Sequence, residues 1–134
     1  MAENESEVKN NIFGFGKPNE AYAKYFSGKS FLNALANNKD ADVNVANVSF
    51  EPGCYNDWHR HNGFQILICT AGRGWVQEKG KDAKIMKPGD VFIAGPGTIH
   101  WHGATKDSWF SHIAITSGST DWLDKVNNYN DLDD

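Results

Sequence analysis

What this chain has little of narrows its possible roles. Its 13 Lys and Arg form no cluster and the formal charge is −4, so the electrostatic footprint of a nucleic-acid-binding protein is missing. No apolar stretch approaches the length of a membrane-crossing helix. The opening segment, MAENESEVKN, lacks the basic and apolar regions of a signal peptide, and the expectation is a cytoplasmic protein. Two cysteines, Cys54 and Cys69, do not make a disulfide framework. Cys69 ends the apolar run that starts at Ile66 and reads as a buried free thiol in a reducing compartment.

What is present is enough for one core. The chain has 134 residues, 40% of them apolar, with five Trp and eight Phe, which suits one compact domain. Residues 1–20 are polar and punctuated by Gly14, Gly16 and Pro18, and read as a flexible arm available to dock on a partner subunit. Residues 21–134 read as the domain. From Ser30 onward, short strands separated by turn signals recur about every ten residues, as in a sandwich or barrel. The strands are expected at 43–50, 63–70, 73–78, 90–94 and 109–115. One helix is expected, Asp121 to Asn128, opened by a Ser119 or Thr120 cap.

The histidines carry the chemistry. Four of the five fall in two pairs, His59-Arg60-His61 and His100-Trp101-His102. On a strand, residues two apart share a face, so each pair aims two imidazoles the same way. Imidazole is a common ligand for divalent transition metals, and pairs converging from two strands would build a multi-histidine site. Gln65, across the Asn62-Gly63 turn, offers an amide oxygen as a further ligand. Hydrogen-bonded or surface histidines are the alternative. In the expected last strand, Phe110, His112, Ala114 and Thr116 share a face. If that face is interior, His112 is either a general acid and base or a hydrogen-bonded core residue. Ala46 and Val48 alternate inward by the same logic, as pocket wall or plain core. Asp57 is either an orienting carboxylate or an exposed turn residue. Trp101 alternates away from its flanking histidines and is assigned to packing.

The stretch from Gly53 through His59, His61 and Gln65 to Gly72 resembles the first cupin motif, and Gly89 with Gly95-Pro96-Gly97-Thr98-Ile99-His100 resembles the second. Gln65 stands where the general motif has Glu, Gly95 where it has Pro, and Ala104 where Asn is common. The strings FEPG at Phe50 to Gly53, WHRHNGFQ at Trp58 to Gln65, TAGRGWVQ at Thr70 to Gln77, PGDV at Pro88 to Val91, PGTIHWHGA at Pro96 to Ala104 and HIAI at His112 to Ile115 are closer to a subgroup. That subgroup is the small bacterial cupins that include the manganese-dependent hydroxynitrile lyases, and Gln in the ligand set is one of its features. The resemblance spans the chain from about Tyr25 to about Tyr129.

It implies an all-β, jelly-roll barrel with a short C-terminal helix, and one divalent metal held by His59, His61, Gln65 and His100. Manganese is favoured, with iron, nickel, zinc or cobalt as alternatives. His102 and His112 would stand beside the metal as acid–base groups, with Ala46, Val48 and Thr116 against a small-molecule substrate. Such cupins commonly pair as homodimers. Three imidazoles and an amide leave the metal's charge uncompensated, which strengthens it as a Lewis acid. The implied reaction is cleavage of a cyanohydrin or a similar carbonyl-derived compound. An iron-dependent dioxygenase and a non-catalytic binding module are the other readings.

Overall fold

The computed structural model describes residues 2–133. Thirteen strands make up nearly all of its regular structure: β1 (Lys17–Pro18), β2 (Phe26–Ser27), β3 (Ser30–Asn38), β4 (Val43–Phe50), β5 (Tyr55–Asn56), β6 (His59–His61), β7 (Gln65–Gly72), β8 (Gly74–Glu78), β9 (Lys84–Met86), β10 (Val91–Ala94), β11 (His100–Ala104), β12 (Phe110–Thr116) and β13 (Thr120–Trp122). The only α-helix among the described residues is α1 (Glu5–Lys9). One sheet runs β1-β3-β4-β12-β7-β10. The other runs β13-β6-β11-β5-β2, with β8 added beside β11 and β9 beside β8. Pairing is antiparallel throughout both sheets.

The two sheets close on each other through alternate residues. Val48, Phe50, Leu67, Cys69, Phe110 and Ala114 from the first sheet meet Val76, Met86 and Ala104 from the second, with Cys54 in the same cluster. Leu67 alternates with Gln65 and Cys69 on the buried face of β7, while Ile66, Ile68 and Thr70 face outward. Gly72, which follows, has a φ of 74°, and a Cβ there would collide with the Trp109 carbonyl; only glycine allows β7 to turn so close to β12. A bulge between β7 and β12 pairs Ser111 with Ala71 but His112 with Cys69, so Thr70 is the extra residue. Thr70 and Ala71 are thereby both free to face outward, while His112 and Cys69 stay on the interior side.

Two segments differ from the sequence expectation. Residues 2–18, expected as a loose arm for a partner subunit, lie on this chain's own barrel. Val8 is fully buried and clusters with Ala71 and Trp109, with Phe15 and Phe31 packed beside them. Glu3 bridges to Ser108 and β1 pairs with β3. The expected helix from Asp121 to Asn128 is also absent. Its first residues instead form β13, which pairs Thr120 with His61 and Trp122 with His59. Trp122, Val126 and Tyr129 are spaced like a helix face but serve two destinations. Trp122 stacks on Tyr25, at 4.4 Å and 4°, whereas Val126 and Tyr129 cover Trp58, Trp75 and Trp101 on the outside of the second sheet. Pairing for the β6 edge outweighs helix propensity here.

Candidate metal centre and cavity

Short strands and their turns deliver the histidines. β6 and β11 lie side by side with His59 opposite His100, so His59, His61 and His100 converge. Their metal-binding nitrogens all lie within 4.8 Å of one another. All five histidines of the chain are buried here, none more than 5% exposed.

Hydrogen bonds fix which nitrogens are bare. His59 Nδ1 lies 2.7 Å from the Asp57 carbonyl and His100 Nδ1 3.0 Å from the Thr98 carbonyl. A carbonyl can only accept, so both rings carry hydrogen on Nδ1 and present Nε2 as a lone pair. His61 Nδ1 is 2.8 Å from the Thr120 hydroxyl, and its buried Nε2 has no partner. Gln65 Nε2 donates to Thr116 Oγ1 at 3.0 Å, which turns Gln65 Oε1 toward His100 Nε2 at 2.9 Å. That places two lone pairs face to face. Two ligand atoms at right angles, each about 2.1 Å from one ion, would lie about 3 Å apart, so a shared cation accounts for a contact that is otherwise repulsive. Without one, the amide must turn over or the ring must take a proton.

Protonation of the rings is disfavoured. Burial pushes His100 down to about 4, with help from the neighbouring His61, and lowers His59 and His61 as well. These rings are therefore neutral and ready as ligands at pH 7. Among the described residues, no Asp or Glu lines the cavity beside them. Three imidazoles and one amide thus fit a divalent transition metal and leave its charge unbalanced.

The cavity measures about 770 Å³ and reaches from His59, His61 and Gln65 to the rim at Tyr22 and Asn37. The structure places Ala46, Val48 and Thr116 on its wall, because β4 and β12 pair Val48 with His112 and Ala46 with Ala114. Behind His59 and His100 stands a second histidine pair. His112 Nε2 lies 3.0 Å from His102 Nδ1, and the His102 ring is 5.3 Å from that of His59. Burial holds both rings neutral, His112 down at about 3 and His102 well below its ordinary value.

Several supporting groups were not legible in the sequence. Asp57 orients His59 through its backbone carbonyl, while its carboxylate bonds Lys125 at 2.9 Å. Trp122 lies with its ring 4.7 Å from that of His59, sharing the cavity wall with Tyr25 and Phe26. Asn56, fully enclosed, bonds His102. Trp101 packs outward among Tyr55 and Tyr129 and donates to Gln77 at 2.8 Å, so it takes no part in the site.

Residues 46–115 match the family model described as the cupin domain. The chain belongs to the cupin family. This cupin is 39% identical, over 78% of its length and 83% of the relative's, to the (R)-mandelonitrile lyase of Granulicella tundricola. A solved cupin-like protein from Thermotoga maritima is 37% identical, with a TM-score of 0.84 over 91% of this chain and 96% of that one. A cupin 2 conserved barrel domain protein from Rhodopseudomonas palustris shares the fold alone, at 17% identity and a TM-score of 0.66 over 78% of this chain and 72% of its own. No helix among the described residues is long and apolar enough to cross a membrane.

Proposed function

We propose that this cupin is a metal-dependent lyase that cleaves cyanohydrins of the mandelonitrile class to an aldehyde and hydrogen cyanide. The observation that carries the reading is the adjacency, inside one cavity, of a carboxylate-free ligand set and a neutral, hydrogen-bonded histidine pair. The (R)-mandelonitrile lyase relative supports the substrate class. His59, His61, Gln65 and His100 would hold one divalent ion, with manganese favoured and iron, nickel, zinc or cobalt compatible. Bound there, the ion supplies Lewis acidity toward a hydroxyl or cyanide.

The chain's own groups do the rest. The apolar wall of Ala46, Val48 and Ala114 receives the hydrocarbon part of the substrate and excludes water from it. The hydroxyl enters at the His102–His112 link and gives its proton to His112. The bond to the nitrile carbon breaks, its electron pair leaves with cyanide, and a carbonyl forms. The proton then passes from His112 to cyanide. A ring whose pKa is held down near 3 is a strong acid once protonated, so the return of the proton is downhill.

We also propose that the protein is a homodimer in the cytoplasm. The outer face of the first sheet carries two aliphatic rows across strands, Ile93-Ile66-Ile115-Val45 and Val91-Ile68-Ile113. Val91 and Ile93 are 56% and 65% exposed, and such a face suits a second copy of itself. The buried free thiols Cys54 and Cys69 suit a reducing compartment.

The test is aldehyde release from racemic mandelonitrile by manganese-loaded protein. Release above the buffer rate, selective for one enantiomer and abolished in His59→Ala and His112→Ala, supports the proposal. No release with any of the five metals refutes it, and oxygen consumption with an iron-loaded sample would favour an oxygenase.

A further inference from the structure

The two nitrogens of the His102–His112 link are 3.0 Å apart, and one proton lies between them. A hydrogen bond at that distance takes one hydrogen, from one ring or the other, so two arrangements exist. Either His102 donates from Nδ1 to His112 Nε2, or His112 donates from Nε2 to His102 Nδ1. The choice decides which nitrogen of His112 is basic, and the contacts of a neighbouring amide bear on it.

Asn56 is 1% exposed and sits on β5, beside β11. Its Oδ1 accepts from the backbone N–H of His102 at 2.9 Å. A backbone N–H has only a donor to offer, so the amide cannot turn over without facing one donor with another. The amide nitrogen is thereby committed to His102 Nε2, 3.4 Å away. An amide nitrogen can only donate, so His102 Nε2 is the accepting, unprotonated nitrogen. The hydrogen of His102 is then on Nδ1, where it points at His112 Nε2. His112 in turn carries its hydrogen on Nδ1, which has no hydrogen-bond partner.

We propose that Asn56 is a positioning residue that sets the proton direction of this pair, making His112 Nε2 its basic nitrogen and His112 Nδ1 its buried protonated one. The inference rests on the acid–base reading of the pair given above, but it is tested without turnover. Asn56→Asp is nearly isosteric and reverses the logic. A carboxylate accepts on both oxygens, so His102 would move its hydrogen to Nε2 and accept on Nδ1 from His112 Nε2.

The experiment is long-range proton–nitrogen NMR of the histidine rings in the full chain, ¹⁵N-labelled, at pH 8, with and without diamagnetic Zn(II). Signals are assigned by single histidine substitutions. Wild type is expected to show His102 and His112 both as Nδ1–H tautomers, and Asn56→Asp both as Nε2–H. An Nε2–H tautomer for either ring in wild type overturns the proposal, whatever the variant does. Unchanged Nδ1–H tautomers in a folded Asn56→Asp also overturn it, because the direction would then be set elsewhere. Absence of cyanohydrin cleavage alters neither result.

Discussion

Acidification should unfold this protein earlier than its carboxylates alone require. All five histidines have pKa values below the ordinary 6.5, chiefly through burial, with His100 near 4 and His112 near 3. In the unfolded chain each returns to about 6.5. Below that pH the unfolded state binds more protons than the folded one, so stability falls as pH drops, until the folded rings themselves protonate. At pH 5.5 the loss is about 1.4 kcal/mol for each ring still held neutral. For the four most strongly shifted rings it comes to roughly 5 to 6 kcal/mol, comparable to the whole stability of a typical domain. The assay is urea denaturation between pH 8 and pH 5 in the presence of a chelator, reading the slope of unfolding free energy against pH as protons taken up. Between pH 6 and pH 5 the slope should correspond to about three to four protons, and His112→Phe should reduce it by about one. Uptake of less than one proton would show that the rings are not held neutral and would refute the reasoning.

Asp57→Asn should leave metal content unchanged, because His59 is anchored by the Asp57 carbonyl. It should cost no more than about 1 kcal/mol in calorimetry, since the lost partner, Lys125, has a largely exposed side chain. Gln65→Glu adds a negative charge to the ligand set, so release of the metal to a chelator should slow on the order of tenfold or more, with slower cyanohydrin cleavage as the Lewis acid weakens. Ile93→Lys places a charge in the aliphatic row on the outer sheet face. It should convert a dimer to a monomer in sedimentation analysis while leaving the melting temperature of the barrel nearly unchanged.

The parts of the site that depend on strand alternation were legible in the sequence. Spacing by two residues puts His59 with His61 and His100 with His102, and the same period puts His112 and Thr116 on one face of β12. Antiparallel pairing then sets Ala46 and Val48 beside them. What escaped was the part that depends on the backbone or on distant chain. Residue identities do not reveal that Asp57 and Thr98 act through their carbonyls. Asn56 lies on a two-residue strand, too short for a period to show which way it points. The helical spacing of Trp122, Val126 and Tyr129 misleads because the β6 edge recruits the first of them into a strand. The N-terminal segment is polar overall, and a single buried valine, Val8, with Phe15 beside it, suffices to dock it.

Elemental analysis of the purified protein tests the metal centre most directly, run on wild type, His59→Ala and His100→Ala after exposure to manganese and removal of free ion. The lone-pair arrangement predicts about one divalent ion per chain in wild type and none in either variant. A wild-type protein that stays empty with manganese, iron, nickel, zinc and cobalt alike would contradict it, and the converging histidines would then be the packing of the barrel interior.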